Sequence, residues 1–151
     1  MVKKIALVSA CDRNNYGDVL MPVVFEQYVR KRHVSDNFRL ETFALTASEN
    51  MKLIGGNTTK SVSEISDHDA VIFLGGEIMC ADYLEMYSHM NKFAFAIKRF
   101  MSRLHFHTLR KITNIYLQHM IFHGKYSLPW MYLSEHKSQK VYYICIGGGG
   151  V

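Results

Sequence analysis

Three short runs of consecutive apolar residues constrain most strongly what this chain can fold into. They occupy residues 5–8, 70–74 and 141–146, and glycine or turn-forming residues follow each of them. A strand that is buried on both faces of a parallel sheet has no solvent-facing side, so it reads as a short continuous apolar run. The sequence therefore predicts three buried strands of a parallel sheet.

The residues between these runs complete an alternation of strands and helices. In residues 38–45, Leu40, Thr42 and Ala44 alternate with Arg39, Glu41 and Phe43, and this period of two predicts another strand. A helix is predicted to begin near Asp18 or Val19, with Asp18 as a candidate cap, and to end at the basic residues 30–32. Its expected apolar side consists of Leu20, Val23, Val24 and Tyr28. The alternation predicts a Rossmann-like, doubly wound α/β domain with a mainly parallel sheet in the order 2-1-3-4.

The segment between the third and fourth predicted strands is long and helical. We expect residues 79–126 to form a helical insertion within a single domain that spans residues 1–151. One long amphipathic helix is predicted from an apolar stripe spaced by fours and threes: Tyr83, Tyr87, Met90, Ala94, Ile97, Met101 and Leu104. Residues that recur every seven positions would widen this stripe: Met86, Phe93 and Phe100. A second helical stretch carries Leu109, Ile112, Tyr116 and Met120 on one face.

Composition restricts the class of protein and of partner. Apolar residues make up 48% of the 151 residues and charged residues 21%, which is typical of a globular protein. The net charge of +5 favours anionic partners such as phosphorylated substrates or anionic lipid surfaces. The three cysteines are far apart and form no CxxC pair, so a reducing, cytoplasmic location is expected. No apolar run is long enough to cross a bilayer.

Two strand ends carry residues of the types that bind ligands in open parallel sheets. Ligands bind outside the carboxyl ends of such strands, where the following loops converge. Glycine at these positions permits a tight turn or a close approach of the backbone to a ligand, although packing explains the paired glycines equally well. The candidate binding residues are Arg13, Asn15, Tyr16, Gly17, Asp18, Gly75, Gly76 and Glu77.

Both strand ends resemble motifs of one enzyme family. The sequence Asn15-Tyr16-Gly17-Asp18 resembles the N-x-G-D motif of polysaccharide pyruvyl transferases, and residues 69–76 are similar to the D-x-apolar-GGG segment of that family. The order and the separation of the two motifs also agree. Glu77 departs from the pattern, because the family usually has a third glycine there. The chain also ends at Val151, where a glycine-rich loop leaves the fourth predicted strand.

This resemblance implies transfer of a pyruvyl group from phosphoenolpyruvate to a sugar in cell-envelope polysaccharide biosynthesis. The chain would be the N-terminal half of a GT-B-like, two-lobed transferase, so the fragment alone is expected to be inactive. The acceptor would be a sugar or a lipid-linked saccharide, and no cofactor is expected. The candidate residues would then shape the acceptor side of the cleft. The general acid that protonates the enol carbon is not assigned to any residue.

Two other classes of function stay open at this point. One is a GT-B-type glycosyltransferase that uses a nucleotide sugar. The other is a non-catalytic interaction or membrane-surface module, because the helical segment mixes basic residues with aromatic and aliphatic ones, as helices on anionic membranes do. These residues are Phe95, Lys98, Arg99, Phe100, Arg103, Phe106, Arg110, Lys111 and Ile112. Packing against the sheet or a missing C-terminal domain is the favoured explanation, and a homo-oligomer seam is a further alternative.

Metal and nucleic-acid functions are not predicted. His119 and His123 stand one helical turn apart, and His105 and His107 are close in sequence. No HExxH motif accompanies them, and no acidic residue lies suitably between them, so no metal site is expected. No nucleic-acid-binding module is recognised.

Overall fold

A five-stranded parallel sheet forms the centre of the molecule. The computed structural model describes residues 2–13, 15–33, 37–75, 81–121, 123 and 140–144. The strands are β1 (Lys3–Val8), β2 (Phe38–Ala44), β3 (Lys60–Ser61), β4 (Ala70–Leu74) and β5 (Lys140–Ile144), and their order is β3-β2-β1-β4-β5. The predicted parallel α/β class is confirmed, and so is the predicted order, since it corresponds to β2-β1-β4-β5. The short edge strand β3 was not predicted.

Strand β1 occupies the middle of the sheet. It pairs in parallel with β2 on one side and with β4 on the other, so that Leu7 lies between Thr42 and Ile72. Leu7 and Val8 are fully buried. Their burial on opposite faces explains why the chain has an uninterrupted apolar run at residues 5–8.

Helices cover both faces of the sheet. Helix α1 (Tyr16–Arg32) places Phe25 against the face that contains Leu7. Helices α2 (Tyr83–Ser88) and α3 (Lys92–Arg103) cover the other face, whereas α4 (His107–Tyr116) has no buried residue and packs against α2 and α3. A π-helical turn, Leu117–Ile121, follows α4. The largest buried cluster joins α2, α3 and this turn to the row of side chains that contains Phe43, Val8 and Phe73.

Helix α1 begins earlier than the sequence predicted. Asn15 is its N-cap, since the Asn15 side-chain oxygen accepts a hydrogen bond from the Gly17 N–H at 3.2 Å. Asp18 lies in the first turn, where its carboxylate accepts a hydrogen bond from the Asn15 side-chain amide at 2.8 Å. The prediction of Asp18 as the cap was therefore wrong, because asparagine caps helices as well as aspartate does and Asn15 comes first.

The buried side of α1 also differs from the prediction. Val19, Pro22 and Val23 are buried, whereas Val24 and Tyr28 are about half exposed. Helix α1 therefore presents a narrower apolar face to the sheet than its sequence suggested. Its last turn carries the basic residues 30–32, as predicted.

Pro22 lies inside α1, yet the carbonyl oxygen that its missing N–H would have bonded still receives a hydrogen bond. Proline has no N–H, so the carbonyl oxygen of Asp18, four residues earlier, receives no helical hydrogen bond from it. The buried Ser9 hydroxyl, just after β1, donates to that oxygen at 3.2 Å. This contact links the end of β1 to the start of α1.

The single long helix predicted for residues 83–104 is broken in the structure. Helix α2 ends at Ser88, and Asn91 caps α3 by accepting hydrogen bonds from the N–H groups of Phe93 and Ala94 at 2.9 and 3.2 Å. The Asn91 amide also donates to the Tyr87 hydroxyl at 2.9 Å. Because asparagine competes for backbone N–H groups, it starts a new helix where apolar spacing alone predicts continuation.

Most of the inner stripe packs as predicted, although Leu104 at its end is 47% exposed. Tyr83, Ala94 and Met101 are buried against the sheet. Of the residues predicted to widen the stripe, Met86 is fully buried in the same cluster. Phe93 and Phe100 are 75% and 59% exposed, so they do not extend the buried face. The extent of the domain, 1–151, stays a prediction.

The contact between Ser9 and Asp18 can be tested by a double-mutant cycle. Ser9→Ala should lower the free energy of unfolding by about 1 kcal/mol, because the Asp18 carbonyl loses its donor. In the Pro22→Ala background the new N–H of residue 22 can satisfy that carbonyl, so Ser9→Ala should cost clearly less. Urea unfolding of the four proteins measures both losses. Equal losses in the two backgrounds would contradict this account of Pro22.

Candidate functional site

The carboxyl ends of β1, β2 and β4 lie side by side at one edge of the sheet. This follows from their parallel pairing, in which Val8 of β1 is opposite both Phe43 of β2 and Phe73 of β4. The loop after β1, the loop after β2 and Gly75 after β4 therefore share this edge, and α1 begins there. We call it the carboxyl edge. Gly76 and Glu77, which were also predicted as candidate binding residues, lie outside the described residues.

The Asn15–Asp18 segment forms the exposed first turn of α1 at this edge. Asn15 and Asp18 hydrogen-bond to each other, so they fix where the helix begins. Tyr16 is 66% exposed. A Cβ atom at Gly17 would meet only the Asn15 side-chain oxygen, at 3.7 Å. The expected tight turn at Gly17 is therefore wrong, because the residue lies in the helix and the fold leaves room for a side chain.

Gly75 has a structural requirement that Gly17 lacks. Its φ is +85°, a left-handed conformation that favours glycine, and its N–H donates to the Ile144 carbonyl at 3.2 Å. A Cβ atom there would lie 3.5 Å from Met21 Cγ of α1. That distance is an ordinary van der Waals contact, so the left-handed backbone conformation, and not a close approach, accounts for this glycine.

Asp12 is the most unusual polar side chain of the carboxyl edge, and it was not among the candidate residues predicted from the sequence. Its side chain is 0% exposed. One carboxylate oxygen accepts hydrogen bonds from the Thr46 N–H at 2.9 Å and from the Thr46 hydroxyl at 3.2 Å. Asp12 thereby ties the loop after β1 to the loop after β2. The sequence did contain a signal for this contact, because polar residues follow both β1 and β2 and the predicted order places these two strands next to each other.

Arg13 lies against the other oxygen of Asp12. Its Nε is 3.8 Å from Asp12 Oδ1, and both atoms are buried without a hydrogen-bond partner. The Arg13 side chain is only 15% exposed. Arg13 is therefore not a solvated surface arginine. The two atoms retain hydrogen-bonding capacity in an otherwise enclosed place.

Burial governs the protonation of Asp12. Removal from water raises the pKa of its carboxyl above the ordinary value of 3.8, although the Thr46 N–H and the Arg13 cation act in the opposite direction. Burial likewise raises the pKa of the Cys11 thiol to about 11, so this thiol is protonated at neutral pH. Cys11 lies 3.4 Å from the Thr59 hydroxyl and has no thiolate character that would suit a nucleophile.

Elsewhere in the described part of the chain, His68 Nε2 is also buried without a hydrogen-bond partner, and it lies 3.8 Å from Glu41 Oε2. The described residues contain no group of three or more His, Cys, Asp or Glu residues that could hold a metal ion. A cleft of about 240 Å³ lies at the turn between α3 and α4, lined by Met101, Ser102, His105, Phe106, His107 and Arg110. Arg110 donates to Asp82 at 2.7 Å there, so its charge is already paired.

Comparison of the chain with protein-family models, with curated proteins and with solved structures gives no match. None of the described helices combines the length and the apolar character needed to span a membrane.

The raised pKa of Asp12 predicts the direction in which the free energy of unfolding changes with pH. A group whose pKa is raised by folding contributes stability below its unfolded pKa, and this contribution is lost as the pH rises through the folded pKa. Asp12→Asn removes this titration. The free energy of unfolding of the unmodified chain should thus fall relative to that of the variant as the pH rises from the ordinary carboxyl pKa of 3.8 through the raised pKa of Asp12. Urea unfolding across this range measures the difference, and a rise would contradict the assigned burial effect.

Proposed function

We propose that this chain forms the acceptor-side lobe of a transferase that resembles polysaccharide pyruvyl transferases. The reaction would move a pyruvyl group from phosphoenolpyruvate to two hydroxyls of a sugar, forming a ketal and releasing phosphate. The observation that carries the proposal is the carboxyl edge. There the N-x-G-D segment, Asn15 to Asp18, begins α1 directly beside the enclosed Asp12–Arg13 pair. Open parallel sheets bind their ligands at this position.

The first turn of α1 suits a saccharide acceptor. Gly17 is exposed and the fold does not require a glycine there, which supports close approach of a ligand to the backbone. The exposed ring of Tyr16 offers an apolar face with a polar hydroxyl. Asn15 and Asp18, which hydrogen-bond to each other, hold this turn in place. The acceptor would be a sugar or a lipid-linked saccharide.

Asp12 and Arg13 have a positioning role in this proposal. Asp12 fixes the two loops through Thr46 and holds the Arg13 guanidinium nearby. Arg13 supplies a cation that can face an anionic group of a substrate once its side chain turns outward. The proton donor for the enol carbon is not among these residues. It would come from a second lobe of a GT-B-like enzyme, facing this Rossmann-like lobe across a cleft in the cytoplasm.

A nucleotide-sugar glycosyltransferase is the alternative within the same architecture. It would also use the carboxyl edge of a parallel sheet, and it would release a nucleoside diphosphate instead of inorganic phosphate. The two reactions are therefore distinguished by their products.

Gly17→Ala separates a binding role from a structural one. Alanine favours a helix over glycine, so the variant should be as stable as the unmodified chain or more stable by up to about 1 kcal/mol. If a ligand approaches this backbone closely, the added methyl group should lower phosphate release from phosphoenolpyruvate roughly tenfold or more. The complete gene product is assayed with a panel of sugar and lipid-linked acceptors, and stability is measured by thermal unfolding.

A matched control is Gln27→Ala, which changes an exposed polar residue in the second half of α1, away from the carboxyl edge. It should leave phosphate release unchanged. Equal rates for Gly17→Ala and the unmodified enzyme would show that the first turn of α1 does not contact the acceptor. Absence of phosphate release with every acceptor, together with release of a nucleoside diphosphate from nucleotide sugars, would replace the pyruvyl transfer by glycosyl transfer.

A further inference from the structure

The positive charge of this chain is concentrated in one segment. Residues 92–121 contain six Lys and Arg residues and no Asp or Glu. The other 121 residues carry 12 basic and 13 acidic side chains, so they are nearly neutral. This segment contains α3 and α4. The net charge therefore reflects a local surface and not a general property of the molecule.

Two of these six cations are used within the fold. Lys98 forms an ion pair with Glu85 of α2, and Arg110 pairs with Asp82 and Glu85. The other four are exposed and form no ion pair within the described residues: Lys92, Arg99, Arg103 and Lys111. The sequence alone could not separate the paired cations from the free ones.

The free cations of α3 point away from the protein core. At about 100° per residue, Lys92, Arg99 and Arg103 project within a sector of roughly 40°. Ala94 and Met101, which are buried against the sheet, lie on the opposite side of the helix. The three cations thus form a ridge along the outermost line of α3.

Exposed aromatic side chains flank this ridge. Phe93 and Phe100 follow Lys92 and Arg99 by one residue each, and they are 75% and 59% exposed. The Phe100 ring contacts the Phe106 ring at a centroid distance of 6.4 Å, which joins α3 to the start of α4.

Helix α4 also exposes apolar side chains: Ile112 and Ile115 are 58% and 50% exposed, on the side of α4 away from the buried Leu117. We call Lys92, Phe93, Arg99, Phe100 and Arg103 the basic-aromatic surface.

We propose that the basic-aromatic surface docks on an anionic lipid membrane. Helices that lie in a membrane interface combine Lys and Arg with Phe and aliphatic residues, and their affinity rises with buried apolar area and with attraction to anionic headgroups. A second copy of the chain that used this surface symmetrically would bring the same cations face to face, which is repulsive. The ridge complements a uniformly anionic partner. This proposal does not depend on the reaction proposed above.

Vesicle flotation tests the proposal directly. The chain is mixed with vesicles of phosphatidylcholine that do or do not contain phosphatidylserine, at low and at high salt. Binding should require phosphatidylserine and should weaken at high salt, because salt screens the attraction. Each cation near the surface contributes roughly a fivefold factor, so Arg99→Glu with Arg103→Glu should lower the partition coefficient by at least about 25-fold. Phe93→Ser with Phe100→Ser should also weaken binding.

The matched control reverses the same amount of charge at the end of α1, with Lys31→Glu and Arg32→Glu. It should retain vesicle binding, as should the conservative pair Arg99→Lys and Arg103→Lys. Circular dichroism verifies that each variant is folded. Equal loss in the α1 control, or binding that is indifferent to phosphatidylserine, would overturn the proposal. A third contradicting result would be a chain that binds no vesicles but forms a dimer, if Phe93→Ser with Phe100→Ser dissociates that dimer. The basic-aromatic surface would then be a protein interface.

Discussion

Parallel pairing of β1 with strands on both of its sides is the constraint on which the rest of this structure depends. It buries Leu7 and Val8 on opposite faces, so the sheet must be covered twice, by α1 on one side and by α2, α3 and the π-helical turn on the other. It also places the ends of β1, β2 and β4 at one edge. Polar residues far apart in sequence, such as Asp12 and Thr46, meet there as a direct result.

The carboxyl edge is held together by side chains that replace missing backbone hydrogen bonds. Ser9 supplies the donor that Pro22 lacks, Asn15 caps α1, and Asp12 accepts from the Thr46 N–H. These contacts restrict the loops before any ligand binds. Catalytic sites need such restriction, because loosely held groups lose rate through misplacement. A structural role for these residues is thus compatible with a role in binding.

The sequence predicted the positions of the main strands well, because short apolar runs are typical of strands in a parallel sheet. Strands β1, β2, β4 and β5 and their order follow from the sequence, whereas the two-residue strand β3 is too short to leave a pattern. The predicted burial of the last strand was wrong, since Tyr142 and Tyr143 of β5 are 48% and 42% exposed. Capping asparagines caused the errors in the helices. Asn15 caps α1 ahead of the predicted cap Asp18, and Asn91 starts α3 within an apolar stripe whose spacing continues across the break. The enclosure of Asp12 and Arg13 was not predictable, because it arises from loops that only the assembled sheet brings together.

A nuclear magnetic resonance titration of the isotope-labelled chain tests the central claim, which is that ligands bind at the carboxyl edge. Phosphoenolpyruvate and candidate saccharides are added while the backbone amide signals are followed. The account predicts that the largest shifts occur at Arg13, Gly17 and Thr46, which the parallel sheet brings to one edge. Shifts confined to α3 and α4, or scattered over the amino ends of the strands, would contradict it.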